Sequence, residues 1–234
     1  ITIYEGKVLA SNAAGSLGLV GGQSAEAQAG KAPMERTVVR PRDAVHWALY
    51  YPAVLDLVAL KQNNPNLGAA VDAFRRGDVG GALAALPEAD DSDTQLLRAA
   101  LYLSVGQVAA AQSDLDRLLA DDGDRASAHA LQAVMAVVQN DTARALTLAD
   151  KAVERADTAA ARLARSYARQ AAADLPGALA DAEAAVELAA GNPLAWARLA
   201  ELRLATGELK AAEQAAAAAV RLDDALAHSQ TVLG

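Results

Sequence analysis

The feature that most limits what this chain can fold into is a short break between helical patterns that recurs along its length. The breaks begin at residues that lie 29, 34, 33 and 34 positions apart, and a small residue follows each break at a fixed offset. A period in the thirties is typical of solenoids, in which each helix pair buries its apolar face only by stacking on the next pair. The breaks are Gly77-Asp78, Gly106-Gln107, Asn140-Asp141, Ala173-Asp174 and Gly207-Glu208, and the small residues are Ala82, Ala111, Ala145, Ala178 and Ala212.

The copy at 193–226 shows the unit best, because large apolar residues line one stripe of its first helix and alanines line the facing stripe of its second. The large residues are Trp196, Leu199 and Leu202, and the alanines are Ala212, Ala216 and Ala219. Counting back from each break predicts repeats at 63–91, 92–125, 126–158, 159–192 and 193–226, with a partial sixth at 227–234. The first repeat is short because Pro87 cannot continue a helix.

Composition supports a thin, closely packed helical core. Hydrophobic residues make up 53% of the chain but aromatics only 3%, and alanine favours helix while burying little area. The formal charge of −8 repels phosphate backbones, so nucleic acid is not an expected partner. The chain contains no cysteine, and its sequence has no apolar run of the roughly 18 residues that a membrane span needs. It opens at ITIYEG without Met and stops at TVLG as a helical pattern begins, so we expect a fragment.

The first 62 residues differ from the repeats. Residues 1–40 alternate β-branched residues with glycine-rich breaks, which predicts short strands and turns. Residues 41–62 form a junction in which Asp43 is a good N-cap and Pro52 breaks the helical pattern. We expect this junction to cover the apolar end of the first repeat.

The repeats resemble tetratricopeptide repeats, whose pattern is Trp-x2-Leu-Gly-x2-Tyr, then Ala-x3-Phe, then Ala and Pro. The fifth repeat matches at its Trp, at its Leu and at the alanines after the break, but it carries Arg203, Ala216 and Asp224 at the Tyr, Phe and Pro positions. The second repeat carries Arg98 at the Leu position and the fourth carries Arg165 there. The resemblance covers about three quarters of the chain and implies an all-α superhelix whose first helices line a concave groove.

Residues 1–40 and the RPRDAVHWALYYP stretch that follows are similar to the closing strands of a FecR-like domain and the start of an attached helical array. FecR-like domains are found outside the bacterial inner membrane and are tied to envelope signalling. This resemblance implies a periplasmic or cell-envelope location, and without it the chain would be placed in the cytoplasm.

Residues suited to chemistry are few and scattered. His46, His129 and His228 lie on different elements, and none has the spacing of a zinc site. The acidic clusters DDSD and DDGD lack the terminal Glu of a calcium loop and suit helix caps. The glycine-rich stretch from Gly15 to Gly22 is followed by no helix start and no Lys, so we interpret it as a β turn rather than a phosphate loop. We therefore predict no catalytic residue, no metal and no cofactor.

Two clusters are candidate partner sites. Arg162, Arg165 and Arg169 lie on one face of a first helix, with Tyr167 beside them, and could anchor an acidic peptide. The alternative is that the arginines pair with acidic residues of neighbouring helices, namely Asp141, Glu154 or Asp181. The second cluster contains Trp47, Tyr50 and Tyr51 and is either a binding hot spot or the core of the junction.

These patterns predict an α-α superhelix of about five helix pairs with a small N-terminal β element. The expected function is a non-enzymatic scaffold that binds a protein or peptide partner in its groove. The alternative is a structural protein that assembles with itself, because the partial sixth repeat leaves an apolar end face.

Overall fold

The computed structural model describes residues 7–20, 24–26, 28, 30–36, 54–89, 91–121 and 125–223, and its larger part is a stack of five helix pairs. A short helix, α1, and one 3-10 turn, Pro65–Leu67, precede the stack. The predicted fold class, an all-α superhelix with a small β element before it, is confirmed. The helices are α1 (Leu57–Asn63), α2 (Gly68–Arg75), α3 (Val79–Ala84), α4 (Ser92–Ser104), α5 (Val108–Asp121), α6 (Ala126–Val138), α7 (Thr142–Arg155), α8 (Ala159–Ala171), α9 (Leu175–Leu188), α10 (Pro193–Ala205) and α11 (Leu209–Leu222).

Each break in the helical pattern ends a first helix in the same backbone conformation. The first residue of every break has a positive φ between 59° and 85°, which is the left-handed conformation that ends many helices. The next residue donates its N–H back across the turn, as Asp174 N does to Arg169 O at 2.9 Å. The left-handed residues are Gly77, Gly106, Asn140, Ala173 and Gly207.

Most of the second helices start with an acidic N-cap, which accepts a hydrogen bond from the first turn. Asp78, Asp141 and Asp174 do this for α3, α7 and α9. Asp91 of the DDSD cluster caps α4 in the same way, so the predicted capping role of that cluster is confirmed. The DDGD cluster lies largely outside the described residues.

The core is continuous along the stack and made mainly of alanine and leucine. One cluster of buried side chains runs from Val54 to Ala195, and two smaller clusters lie at the ends of the stack. The alanines that follow the breaks are buried in every pair, and their small side chains let the helix backbones approach closely. None of the helices described is both long enough and apolar enough to cross a membrane.

The β element consists of two antiparallel strand pairs. β1 (Lys7–Asn12) pairs with β2 (Gly15–Val20), with Lys7 opposite Val20. The described part of the glycine-rich stretch that we interpreted as a turn, residues 15–20, instead forms β2, and Gly21 and Gly22 lie outside the described residues. The turn is at Ala14, whose N–H donates to the Asn12 side chain. The second pair is β3 (Ser24–Glu26) with β4 (Met34–Arg36).

The two ends of the stack meet. Arg75, the last residue of α2, donates a hydrogen bond from Nε to Oδ2 of Asp223 at 3.0 Å, across 148 residues of sequence. Asp223 directly follows α11 and its side chain is buried. The superhelix therefore curls until its first pair contacts the end of its last.

Candidate functional site

The arginine row of α8 converges on one buried carboxylate. Asp181 of α9 is 1% exposed. Arg165 binds it through two parallel bonds, Nε to Oδ2 at 2.9 Å and Nη2 to Oδ1 at 2.7 Å. Arg162 Nη1 lies 3.0 Å from Oδ1, and Arg169 Nη1 lies 2.8 Å from Oδ2. Helical spacing places the three guanidinium groups on one face of α8, and that face is the one that packs on α9.

Half-exposed carboxylates surround the outer side of the same row. Asp157 accepts two bonds from Arg162, and Asp150 Oδ1 lies 3.4 Å from Arg165 Nη1. The Arg162 hydrogen bonds hold the pKa of the Asp157 carboxyl below its usual value, and in return they raise the pKa of Arg162. Hydrogen bonds to Asp181 likewise raise the pKa of Arg165, although burial acts in the opposite direction. Arg162 and Arg165 therefore stay charged, and all three arginines are well paired.

Of the two interpretations of the row, the structure shows the pairing one directly, with Asp181 as the partner. Binding of an acidic peptide stays a prediction. Because Asp181 occupies the inner side of the row, the peptide would have to bind on the outer side, where Asp157 and Asp150 lie. Tyr167 is only 2% exposed and belongs to the main core cluster. A partner contact at Tyr167 stays a prediction.

A fourth arginine, which the sequence did not single out, joins the fifth pair to the fourth. Arg198 of α10 is 2% exposed, and its guanidinium carbon lies 3.9 Å from the centre of the Tyr167 ring. It donates from Nε to the Ser166 hydroxyl at 3.0 Å, and Ser166 donates in turn to the Ala178 carbonyl at 2.9 Å. In the tetratricopeptide pattern the residue directly after the Leu position is small, and in the fourth repeat that residue is Ser166. Its hydroxyl links Arg198 of the fifth pair to the Ala178 carbonyl of the fourth.

The second helix pair repeats the central ion pair of the fourth. Arg98 donates from Nε to Asp114 Oδ2 at 2.7 Å and from Nη2 to Oδ1 at 2.9 Å. Arg98 and Arg165 lie at the same position before their breaks, and Asp114 and Asp181 lie at the same position after them. The sequence therefore contained a signal for both ion pairs. The two repeats that carry Arg at the expected Leu position also carry Asp at the matching position after the break.

Several predicted residues lie outside the described part of the chain, namely Trp47, Tyr50, Tyr51, His46, His228 and the partial repeat 227–234. Within the described residues, His129 is buried in α6, and no group of acidic or histidine side chains is arranged to hold a metal ion.

No protein-family model matches the chain, and no curated protein matches it. Solved structures do share its fold. A thermophilic TPR protein from Thermus thermophilus, TTC0263, has a TM-score of 0.60 at 22% identity, over 74% of this chain and 98% of that one. Cut9 from the APC/C hetero-tetramer Cut9–Hcn1 has a TM-score of 0.54 at 13% identity, over 76% of this chain and 38% of that one. The chain therefore has the fold of tetratricopeptide-repeat proteins.

Proposed function

We propose that this chain is a non-enzymatic scaffold that binds another protein. The observation that carries the proposal is the stack itself: five helix pairs present a long curved surface, and such surfaces are what repeat proteins use for binding. Cut9, which shares the fold, is found in a hetero-tetramer with Hcn1, and we propose a role of that kind here.

The outer side of the arginine row is the surface we propose for an acidic partner segment. Arg162 and Arg169 each keep about a quarter of their side chain exposed. The outer carboxylates of Asp157 and Asp150 are half exposed, and exposed ion pairs of this kind contribute only about 0–1 kcal/mol each. A partner carboxylate can therefore replace them on the guanidinium groups while Asp181 stays bound.

The test compares partner capture by wild type and two charge reversals. Arg162→Glu removes a guanidinium from the outer side of the row, and Arg144→Glu makes the same charge change at an exposed position of α7. We expect Arg162→Glu to weaken binding of a captured and purified partner about tenfold or more, since a bidentate pair is lost, while Arg144→Glu changes it little. Equal binding by both variants would contradict the arginine surface, and capture of no partner by the wild type would contradict the scaffold.

For location, we propose the bacterial periplasm or cell envelope. The support is the FecR-like character of residues 1–40, whose described part forms two short strand pairs. Cell fractionation of the full-length protein with cytoplasmic and periplasmic markers tests this. Recovery with the cytoplasmic marker would refute it.

A second candidate function, self-assembly, is favoured by the exposed end of the last pair. Leu209 is 65% exposed, whereas the residues at the same position after three earlier breaks are partly buried and pack against the core clusters. They are Val79, Val108 and Leu175. Leu204, nearby on α10, is 53% exposed. This end face has the apolar character of an interface between repeats, and we propose that a second copy covers it.

Light scattering at increasing concentration tests assembly. We expect Leu209→Glu to shift the protein toward monomer, because a carboxylate would be buried in the interface. Leu188→Glu is the matched control, since Leu188 is similarly exposed but ends α9, away from the end face. A wild-type protein that is monomeric at the highest concentration removes this candidate.

A further inference from the structure

Arg203 of α10 occupies the position that Arg169 occupies on α8, four residues before the break in the helical pattern. In the fourth pair the repeat itself supplies the acceptors for this arginine. Arg169 Nη1 lies 2.8 Å from Asp181 Oδ2 and donates to the Gly177 carbonyl at 3.1 Å, and Nε lies 3.9 Å from Asp174 Oδ2. The fourth pair therefore shows which group an arginine at this position binds, namely a carboxylate.

The fifth pair keeps the arginine but lacks the buried carboxylate. Ala215 stands at the position of Asp181, 34 residues further along the chain. The acidic residue that follows the last break is Glu208, and its carboxylate accepts a hydrogen bond from the Thr206 hydroxyl at 3.3 Å. The internal ligand that holds the arginine of the fourth pair is thus missing around Arg203.

Arg203 is held weakly by the residues that do surround it. Its Nη2 donates to Oε1 of Glu183 on α9 at 3.4 Å, which is longer than the usual distance of about 2.7–3.2 Å. The Glu183 side chain is about half exposed, and exposed ion pairs contribute little. Among the described residues, Arg203 Nε has no hydrogen-bond partner, although that atom is buried.

This arrangement favours a guanidinium that turns outward to a ligand. A buried donor without a partner is costly, because it has lost its water and gained nothing in exchange. A quarter of the Arg203 side chain is exposed, so rotation of the side chain alone brings its guanidinium to solvent. The rotation breaks only the long bond to Glu183, and it frees the Nε–Nη2 edge. Arg98 and Arg165 hold their carboxylates with that same edge.

We propose that Arg203 is a binding site for a carboxylate on an acidic segment of a protein partner. The guanidinium binds this carboxylate through Nε and Nη2, in the geometry that Arg165 has with Asp181. The partner displaces Glu183 and supplies the acceptor that the fifth pair lacks. The inference rests on the proposed scaffold function. It does not rest on the arginine row, because Arg162 and Arg203 have different acceptors.

An NMR titration of the full chain with acetylated tetraglutamate tests the proposal. The Arg203 Nε–H signal is assigned by its loss in Arg203→Gln, and the backbone signals at the end of α10 report the affinity of this site in every variant. We expect the Nε–H signal to shift saturably, and we expect Arg203→Gln to weaken binding about tenfold, because charge-assisted hydrogen bonds are lost. Tetraglutamine, which has the same length and no charge, should leave the signal in place. A signal that tetraglutamate does not move, or equal affinity in Arg203→Gln, would overturn the proposal.

Arg162→Gln separates this site from the arginine row. It should leave the shift of the Arg203 signal unchanged, whatever it does to binding at the row. If Arg162→Gln abolished peptide binding and Arg203→Gln did not, the row would be the acidic site and the proposal for Arg203 would be wrong. The opposite result would support Arg203 and contradict the row.

Glu183→Gln should change the affinity in the opposite direction. Because Glu183 competes for the guanidinium, its removal should tighten tetraglutamate binding about threefold. Glu187→Gln is the matched control, since it removes the same charge at an exposed position one turn further along α9, and it should change the affinity less. Weaker binding by Glu183→Gln, or equal tightening by both variants, would overturn the proposed displacement of Glu183.

Discussion

Asp181 is 1% exposed, accepts hydrogen bonds from Arg162 and Arg165 and forms an ion pair with Arg169. Asp114 has the simpler form of the same arrangement with Arg98. Removing charges from water is costly, so such pairs stabilise a fold only when their geometry is good and every donor finds a partner. The fifth pair has two apolar residues in place of this ion pair, because Leu199 and Ala215 occupy the corresponding positions and are buried in one cluster.

Replacing the ion pair of the second helix pair by the two apolar residues of the fifth tests how much the ion pair stabilises the fold. Asp114→Ala should lower the free energy of unfolding by about 3 kcal/mol, because it leaves the Arg98 guanidinium partly buried and without its carboxylate. Adding Arg98→Leu, which copies the fifth pair, should restore most of that loss. Urea unfolding followed by circular dichroism measures both values. A double variant as unstable as Asp114→Ala would mean that the ion pair contributes more than an apolar pair can replace.

Lowered carboxyl pKa values predict that the protein loses stability in acid. The pKa of Asp157 is lowered from 3.8 by hydrogen bonds from Arg162. For Asp91, burial raises the pKa, but hydrogen bonds from Thr94 and Asp93 outweigh it and the pKa is lowered. A group whose pKa is lower in the folded state stabilises the fold above its unfolded pKa and loses this contribution as the pH falls through the folded value.

The free energy of unfolding should therefore change little between about pH 7 and pH 5 and should fall below about pH 4. Asp157→Asn should show a shallower fall than wild type, since one of the linked carboxyls is gone. Urea titrations at each pH measure this. A wild-type protein that gained stability below pH 4 would contradict the assignment.

At the scale of the element, the turn after α8 differs from its neighbours. Ala173 has a φ of 62°, a conformation that costs an L-residue about 1–2 kcal/mol and costs glycine almost nothing. Three of the five breaks carry glycine at this position. Ala173→Gly should therefore raise the free energy of unfolding by about 0.5–1 kcal/mol after the entropy of the unfolded chain is counted.

The neighbouring alanine supplies the control for that turn. Ala172 has a φ of −86°, so glycine gains nothing there, and Ala172→Gly should be neutral or destabilising. Thermal and urea unfolding of the two variants separate the outcomes. If both variants were destabilised alike, the left-handed conformation at Ala173 would be without cost.

The sequence predicted the helices well because their signals are local. The break residues fix the left-handed turns, and an acidic residue such as Asp174 caps the next helix within a few positions. It predicted the site less well because the deciding partners lie on other helices. A row of arginines with helical spacing looks the same whether it faces solvent or Asp181, and nothing local shows that Arg198 is buried beneath Tyr167.

At the scale of the whole molecule, the curvature of the superhelix determines which of its surfaces a partner can reach. The contact between Arg75 and Asp223 brings the ends of the stack together, and the central helix α6, with Val134 at its middle, is buried. The surfaces that stay open to a partner include the outer side of the arginine row, where Arg162 and Arg169 each keep about a quarter of their side chain exposed.

This view predicts that the end-to-end ion pair controls the curvature. Arg75 is about two-fifths exposed, so the pair should contribute only about 1 kcal/mol in a double-mutant cycle, yet its loss should still open the stack. Asp223→Arg places two like charges together, and we expect a larger radius of gyration by small-angle X-ray scattering and faster labelling of a Val134→Cys thiol. Adding Arg75→Asp reverses the pair and should restore both values, because the attraction is recovered with the charges exchanged. If the swapped protein stayed open, the closure would depend on the packing of Asp223 rather than on its charge, and if Asp223→Arg left the radius unchanged, the helix pairs alone would set the curvature.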